Sequence, residues 1–402
     1  MGGDIVNICN KEILLQKLID NLDLPDSAYE KAIDRYQDIG EWIGRPESSC
    51  SEFEPHIFPQ GSFRLGTAIK PLNENEMYDL DLACNFRFGI QPLTHSQEEL
   101  KTLVGIELEA YRVARNIKSD LEEKHRCWRL EYADHIHFHM DIVPCVPANV
   151  ARKGMLFESL RQYGTDQNLA GNISEKAVCI TDDRHPAYEE KGADWQISNP
   201  EGYALWFSSR VKLGLTTRSL FEASRVDEVP LYKEKAPLQR AIQLLKRHRD
   251  KMFAKNPESK PISIIISTIA AQSYSGEQTI EEALRKTLMG LKQFADSGLE
   301  VVPNPVNPDE NFADRWNMPE CTDLQLKRNF VLWVSSALRD FNFILNDNQD
   351  ISVLSETIED RFSIRINQKE ISQFSGKNDQ LIASNILTPK RIDNVVAKPW
   401  RH

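Results

Sequence analysis

The sequence predicts an α+β fold of two lobes: a mixed-sheet N-terminal lobe backed by a long helix, and a C-terminal lobe that is a helical bundle. Two observations carry this. Apolar residues recur at helical spacing between residues 29 and 43, switch to alternation between 56 and 86 and again between 128 and 147, and return to helical spacing after Pro237. The chain also has 402 residues, room for two or three domains at roughly 150 residues each.

The long helix follows Pro25. Tyr29, Ala32, Ile33, Tyr36, Ile39, Trp42 and Ile43 form its apolar stripe, Ser27-x-x-Glu30 predicts a capping box, and Gly44 its C-terminal end. The run HIFPQGSFRLGTAIKPL reads as a strand, a glycine turn and a helix start. In MYDLDLACNF, residues Tyr78, Leu80, Leu82, Cys84 and Phe86 share one face, and Asp79, Asp81, Ala83 and Asn85 the other. Residues 98–124 read as helix. RLEYADHIHFHMDIVPCVP gives two further strands, with His135, His137, His139 and Asp141 on one face of the second. Residues 151–230 read as strands and loops linking the lobes. QRAIQLLKRHRDKMF, SIIISTIAAQSY, TIEEALRKTLMGLKQF and RNFVLWVSSALRDFNFIL read as bundle helices, interrupted by a proline-rich break at 299–316. The expected division is 1–230 for the sheet lobe with its helix, 231–365 for the helical lobe, and 366–402 for a loosely held tail.

Composition narrows the function. With 41% hydrophobic and 27% charged residues the chain is expected to be soluble and globular rather than disordered. No uncharged apolar run approaches the roughly 20 residues of a membrane span, so no membrane partner is expected. The N-terminus lacks the basic and apolar regions of a secretory signal, and MGG before Asp4, Ile5 and Val6 lacks the Ser/Thr of a myristoylation site. Forty-nine Lys and Arg against 60 Asp and Glu leave a net charge of −11. That balance argues against a long polyanion such as double-stranded DNA, and leaves a single nucleotide open. Seven cysteines without a C-x-x-C pattern point to buried free thiols in a reducing cytoplasm, not to a zinc knuckle.

The chemistry gathers in Gly61-Ser62, Asp79-x-Asp81 and Asp141. Residues two apart in a strand point to the same side, so Asp79 and Asp81 present paired carboxylates. Their repulsion is relieved by a cation, and hard oxygen ligands select Mg²⁺ or Mn²⁺. With Asp141 on a neighbouring strand, the three acids would suit two-ion phosphoryl transfer. A glycine turn that opens a helix brings backbone N–H groups to phosphate oxygens. The Ser62 hydroxyl is a further donor, and Arg64 and Lys70 lie close in sequence.

PQGSFRLGTAIKPL, YDLDLACNF and FHMDIVPCVP resemble the polymerase-β-like nucleotidyltransferases, and within them the bacterial cGAS/DncV-like nucleotidyltransferases. NPEGYALWFSSR, PLQRAIQLLKRHRD, KPISIIISTIAA and NPVNPDENFADRW extend the resemblance over roughly residues 25–345. It implies a mixed-sheet palm and a helical lobe around one nucleotide cleft. It also implies an enzyme that joins nucleoside triphosphates (ATP and a second purine, GTP among the candidates) into a cyclic di- or trinucleotide messenger. The messenger would be received by a separate effector in anti-phage defence, and a regulatory protein is compatible with the family. Asp79, Asp81 and Asp141 match the catalytic residues that hold two Mg²⁺ or Mn²⁺ ions, with Asp141 also the base. Gln60, Gly61 and Ser62 match the phosphate turn, and Lys246 and Ser263 match triphosphate contacts from the helical lobe. Asn304 or Asp309 falls in a loop that would touch a nucleotide.

Competing readings stay open at this point. The histidines near Asp141 are expected to line a polar face rather than bind zinc. Tyr203 and Trp206 are expected in the core rather than stacked on a base. Cys84 and Cys145 are expected to be buried and inert. Alternative functions are transfer of a nucleotide to an RNA, protein or small-molecule acceptor, and a catalytically silent nucleotide-binding protein.

Overall fold

The computed structural model describes residues 3–73, 76–132, 138–214, 235–346 and 350–367. The palm sheet takes its strands from three stretches: β1 (Pro55–Pro59) and β2 (Tyr78–Phe86), then β3 (Glu122–Glu123), β4 (Trp128–Tyr132) and β5 (Phe138–Pro147), then β6 (Val178–Ile180) and β7 (Ile197–Ser198). The order is β1-β2-β5-β4-β3, with β6 paired to the far end of β5 and β7 paired to β6. Only β2 and β5 run parallel; every other pairing in this sheet is antiparallel.

Alternation decides what each face of β2 does. Leu80, Leu82, Cys84 and Phe86 join the main core, beneath α2 (Asp26–Gly44) and α4 (Gln97–Ala114). Ala83 faces the other way and packs with Phe58, Cys145, Val178 and Ile180 in a small second cluster. That second face is therefore dry at one end. At the other end it carries Asp79 and Asp81.

Several expectations need correction. The helix after Pro25 starts at Asp26, with Pro25 as an extended N-cap and no side-chain cap bond, so Ser27 lies inside the helix and the capping box does not form. The helix expected over 98–124 ends at Ala114, and Glu122–Glu123 is strand. Residues 151–230 are more helical than expected: α5 (Val150–Gln162), α6 (Gln167–Glu175) and α7 (Pro200–Val211) alternate with β6 and β7. Each of these helices has an asparagine or aspartate N-cap (Asn149, Asp166, Asn199) whose side chain accepts from a first-turn N–H. Residues 215–234 and the tail from 368 onward lie outside the described residues, as do His135 and His137.

The helical lobe holds α8 (Pro237–Met252), α9 (Ser263–Ser273), α10 (Ile280–Asp296), α11 (Leu326–Ile344) and α12 (Ile351–Phe362). The break at 299–316 contains a short hairpin, β8 (Pro303–Asn304) with β9 (Asn307–Asn311). An unanticipated first helix, α1 (Gly3–Leu22), packs on α8 and α10. Leu14, Leu15, Leu18, Ile19 and Leu22 give it a buried stripe, and Glu12 caps α10 by accepting from Ile280 N at 2.8 Å.

One face of α8 joins the lobes. Gln239, Gln243, Lys246 and Arg247 recur at one-turn spacing, and all are buried. They donate to the carbonyls of Leu65 (2.8 Å), Ala68 (2.8 Å), Thr67 (2.9 Å) and Lys70 (2.7 Å). These side chains would be costly to bury unpaired. Here they fix the segment that follows the glycine turn.

Candidate active site

The parallel pairing of β2 with β5 sets Asp81 directly opposite Asp141, and Asp79 opposite His139. Neighbouring strands lie about 4.8 Å apart, and residues two apart in a strand share a face. The three carboxylates therefore occupy one corner of the sheet, at the end away from the small dry cluster. They line a cleft of about 770 Å³ between the lobes.

The electrostatics of that corner are unbalanced. The carboxyl of Asp81 is pushed up to about 7, first by burial, then by repulsion from Asp79 and Asp141; Lys246 and Arg129 offset part of this. Arg129 was not anticipated as a site residue. It sits opposite Asp141 in the β4–β5 pairing, and its Nε and Nη2 donate to the two Asp141 oxygens, both at 2.7 Å. It approaches from the side of Asp141 away from Asp81, since the strand order is β2-β5-β4. The bidentate fork holds Asp141 in one orientation.

A divalent cation fits this donor set. Three hard carboxylates share a face, and burial and mutual repulsion make the ionised Asp81 costly. Among the described residues no three His, Cys, Asp or Glu side chains enclose an ion by themselves. Mg²⁺ is commonly held by one or two carboxylates, with water and substrate phosphates completing its shell.

The glycine turn closes one side of the cleft. After β1 the chain enters a one-turn helix, α3 (Gly61–Arg64), so the expected helix start is real but short. Gly61 has φ +63°, and a Cβ there would collide with the Asp81 carboxylate. Only glycine lets the turn sit against the acids. Gln60 anchors the turn: its N–H donates to Asp81 O at 2.8 Å and its Nε2 to Leu82 O at 3.3 Å. Gly61 and Ser62 line the cleft, while Gln60 and Arg64 line a smaller neighbouring pocket.

Across from the acids lie Lys246, Ser263 and the first turn of α9. Burial lowers the Lys246 ammonium to about 8, and its Nζ donates to Thr67 O. Ser263 Oγ accepts from Arg249 Nη1 at 2.8 Å, which leaves its own proton for an acceptor in the cleft. Lys70 and Lys260 add charge on this side. Glu76 and Asp250 line the same cleft, and Asp250 pairs with Arg249 at 2.6 Å and with Lys260 at 3.6 Å.

The other expectations resolve as follows. His139 Nδ1 lies 3.3 Å from Glu131 Oε1 across the β4–β5 pairing, on a polar sheet face. Tyr203 and Trp206 are buried, and Tyr203 Oη bonds Thr268 Oγ1 at 2.8 Å, tying α7 to α9. Cys84 and Cys145 are buried, and burial pushes both thiols up, so neither is a nucleophile. Asn304 lines the smaller pocket beside Glu310, a residue the sequence did not single out.

A sheet corner of three carboxylates, a glycine-serine turn packed against it, and lysines on the same cleft are an arrangement compatible with nucleotidyl transfer. Known proteins agree. Residues 55–144 match the family described as "Cyclic GMP-AMP synthase DncV-like, nucleotidyltransferase domain". A c-di-GMP synthase of Roseivirga ehrenbergii is 30% identical over 334 residues, covering 81% of this chain and 77% of that protein. The cyclic dinucleotide synthase CdnG of Bradyrhizobium diazoefficiens is 27% identical over 318 residues, covering 76% and 70%. Its structure in complex with GTP superposes with a TM-score of 0.62 at 22% identity, over 90% of this chain and 96% of that one. A complex of Escherichia coli MS115-1 CdnC with HORMA-deltaN superposes with a TM-score of 0.56 at 14% identity, over 89% and 98%. The chain belongs to the bacterial cGAS/DncV-like nucleotidyltransferases.

Proposed function

We propose that this enzyme joins two purine nucleoside triphosphates, GTP at least one of them, into a cyclic dinucleotide. The observation that carries the proposal is the pairing of Asp81 with Asp141 on the wall of the cleft that also holds Gly61, Ser62, Lys246 and Ser263. Relatives that make c-di-GMP and other cyclic dinucleotides support it.

In this reading the donor triphosphate lies along the Gly61–Ser62 turn. Ser263 and the first turn of α9 donate to its outer phosphates, and Lys246 balances their charge. Asp79, Asp81 and Asp141 would hold two Mg²⁺ or Mn²⁺ ions. When bound, these would lower the pKa of the attacking hydroxyl and neutralise charge on the pyrophosphate. Asp141, oriented by Arg129, takes the proton of the acceptor's ribose hydroxyl. That oxygen bonds the donor α-phosphorus, the α–β phosphoanhydride bond breaks, and pyrophosphate leaves. The linear product then turns round, and a second such displacement closes the ring.

The wider setting belongs to the same proposal. The product acts in the cytoplasm as a messenger for a separate effector in anti-phage defence. The described cysteines, all unpaired and buried, support a reducing compartment. The assembly of CdnC with HORMA-deltaN supports a regulatory protein partner.

The test is incubation of the full chain with labelled triphosphates and Mg²⁺, and no added acceptor. The expected product resists phosphatase and has the mass of a cyclic dinucleotide. Label that appears only when RNA, protein or a small acceptor is added would overturn this reading in favour of transfer to that acceptor.

A further inference from the structure

Asp23 stands where the chain crosses between the lobes. It follows α1, which packs on α8 and α10, and precedes α2, which packs on β1 and α4. Its Oδ1 accepts from two buried side chains, Lys235 just before α8 and Gln243 within it, the latter through Nε2 at 2.6 Å. Gln243 is fully buried, and the same Nε2 donates to Ala68 O at 2.8 Å.

Both hydrogens of the Gln243 amide are thereby committed. Turning the amide over would set its oxygen against a carboxylate and a carbonyl, so its orientation is fixed. Among the described residues Gln243 Oε1 has no hydrogen-bond partner. A buried acceptor without a donor is destabilising, and an apolar side chain of this length would avoid that. What Gln243 contributes is therefore its two donated bonds.

Ala68 lies in the loop that follows the Gly61–Ser62 turn. Thr67 N donates to Ser62 O at 2.9 Å, and Leu65 N to Gly61 O at 3.2 Å. At the far end of the loop, Lys70 N donates to Leu22 O at 2.8 Å, next to Asp23. Lys246 also holds this loop, through Thr67 O, but it lines the cleft itself. Gln243 does not, so substituting it alters no side chain on the cleft wall. We infer that Gln243, seated by Asp23, is a positioning residue for nucleotidyl transfer: it holds the 65–70 loop, and through Thr67 the Gly61–Ser62 turn, against the acidic corner. The inference rests on the triphosphate-joining reaction proposed above.

The turn has no slack toward the acids, because a Cβ on Gly61 would already collide with the Asp81 carboxylate. It can only move away, and a loop released from Gln243 lets it do so. A misplacement of about 1 Å can cost about 100-fold in rate. The groups that touch the triphosphate remain, so affinity changes little.

The test compares the full-length wild type with Gln243→Met, which keeps the length of the side chain and removes both donors. Should that variant not fold, Gln243→Asn, too short to reach both oxygens, carries the same test. kcat and KM for GTP are measured with Mg²⁺, GTP affinity by calorimetry with Ca²⁺, and backbone hydrogen exchange over residues 62–68 without nucleotide. The expected result is kcat lower by about 10-fold or more and GTP affinity within about 3-fold of wild type. Exchange over 62–68 should be about 10-fold faster, with α8 still protected. An unchanged kcat overturns the assignment. So does exchange over 62–68 that stays as in wild type, or a parallel loss of kcat, affinity and melting temperature, which would leave Gln243 a part of the scaffold only. If the wild type joins no nucleotides, the reaction proposed above fails, and the exchange comparison alone decides whether Gln243 holds the turn.

Discussion

Replacing Asp81 by asparagine should make the metal-free protein more stable while abolishing its activity. The carboxyl is raised from 3.8 to about 7, chiefly by burial. A raised folded-state value means that the neutral carboxyl is the form the fold accepts: the stability is complete below the unfolded value and is lost as pH rises through about 7, where the buried carboxylate forms. Three units at about 1.4 kcal/mol each give an upper bound of about 4 kcal/mol. The side chain keeps some water contact, so about 2 kcal/mol is the working figure. At roughly 2 °C per kcal/mol for a chain this long, D81N should melt about 4–8 °C above wild type at pH 8 in EDTA. The gap should shrink toward zero as pH is lowered from 7 toward and below 4, because wild type then approaches the neutral form at this position in both states. Mg²⁺ with a non-hydrolysable triphosphate should raise the wild-type melting point and leave D81N nearly unmoved. A D81N protein that melts below wild type at pH 8 without ions would refute the reasoning, since it would mean that Asp81 already has a compensating partner.

Gly61→Ala forces a side chain into left-handed backbone and against the Asp81 carboxylate; a loss of about 1–3 kcal/mol in stability is expected, with nucleotide joining down by at least ~100-fold, read by denaturant melts and pyrophosphate release. Lys246 loses its proton as pH rises through about 8, so the KM for triphosphate should climb above that pH in wild type and stay flat in Lys246→Met, which a KM–pH series checks. Arg129→Lys keeps one charge and loses the two-point grip on Asp141. Its kcat should fall about 10-fold with little change in nucleotide KM, since orientation rather than binding is lost.

What the sequence revealed depended on the range of the signal. The alternation in β2 and β5 is local, so it placed Asp79, Asp81 and Asp141 on polar faces without knowledge of the partner strands. The register that sets Asp81 against Asp141 is set between strands far apart in sequence, and the resemblance supplied it. Arg129 was hidden for the same reason: in WRLEY it alternates with Glu131 on an ordinary polar strand face, and only the β4–β5 register sets it against Asp141. The stripe of Leu14, Leu15, Leu18, Ile19 and Leu22 makes α1 legible in the sequence. The helices α5 and α6 leave little apolar pattern because few of their residues are buried: Leu156 and Leu160 in α5, and Ala170, Ile173 and Ser174 in α6. Glu310 looked like one more surface acid in NPDENF, and only the folded hairpin turns it toward a pocket beside Asp81.

The reach of divalent ions into the acidic corner is best settled by anomalous diffraction from crystals grown with Mn²⁺ and a non-hydrolysable GTP analogue. Manganese peaks touching oxygens of Asp79, Asp81 and Asp141, with the triphosphate over Gly61 and Ser62, are the expected result. Manganese bound elsewhere, or a triphosphate seated away from these three acids, would contradict the assignment.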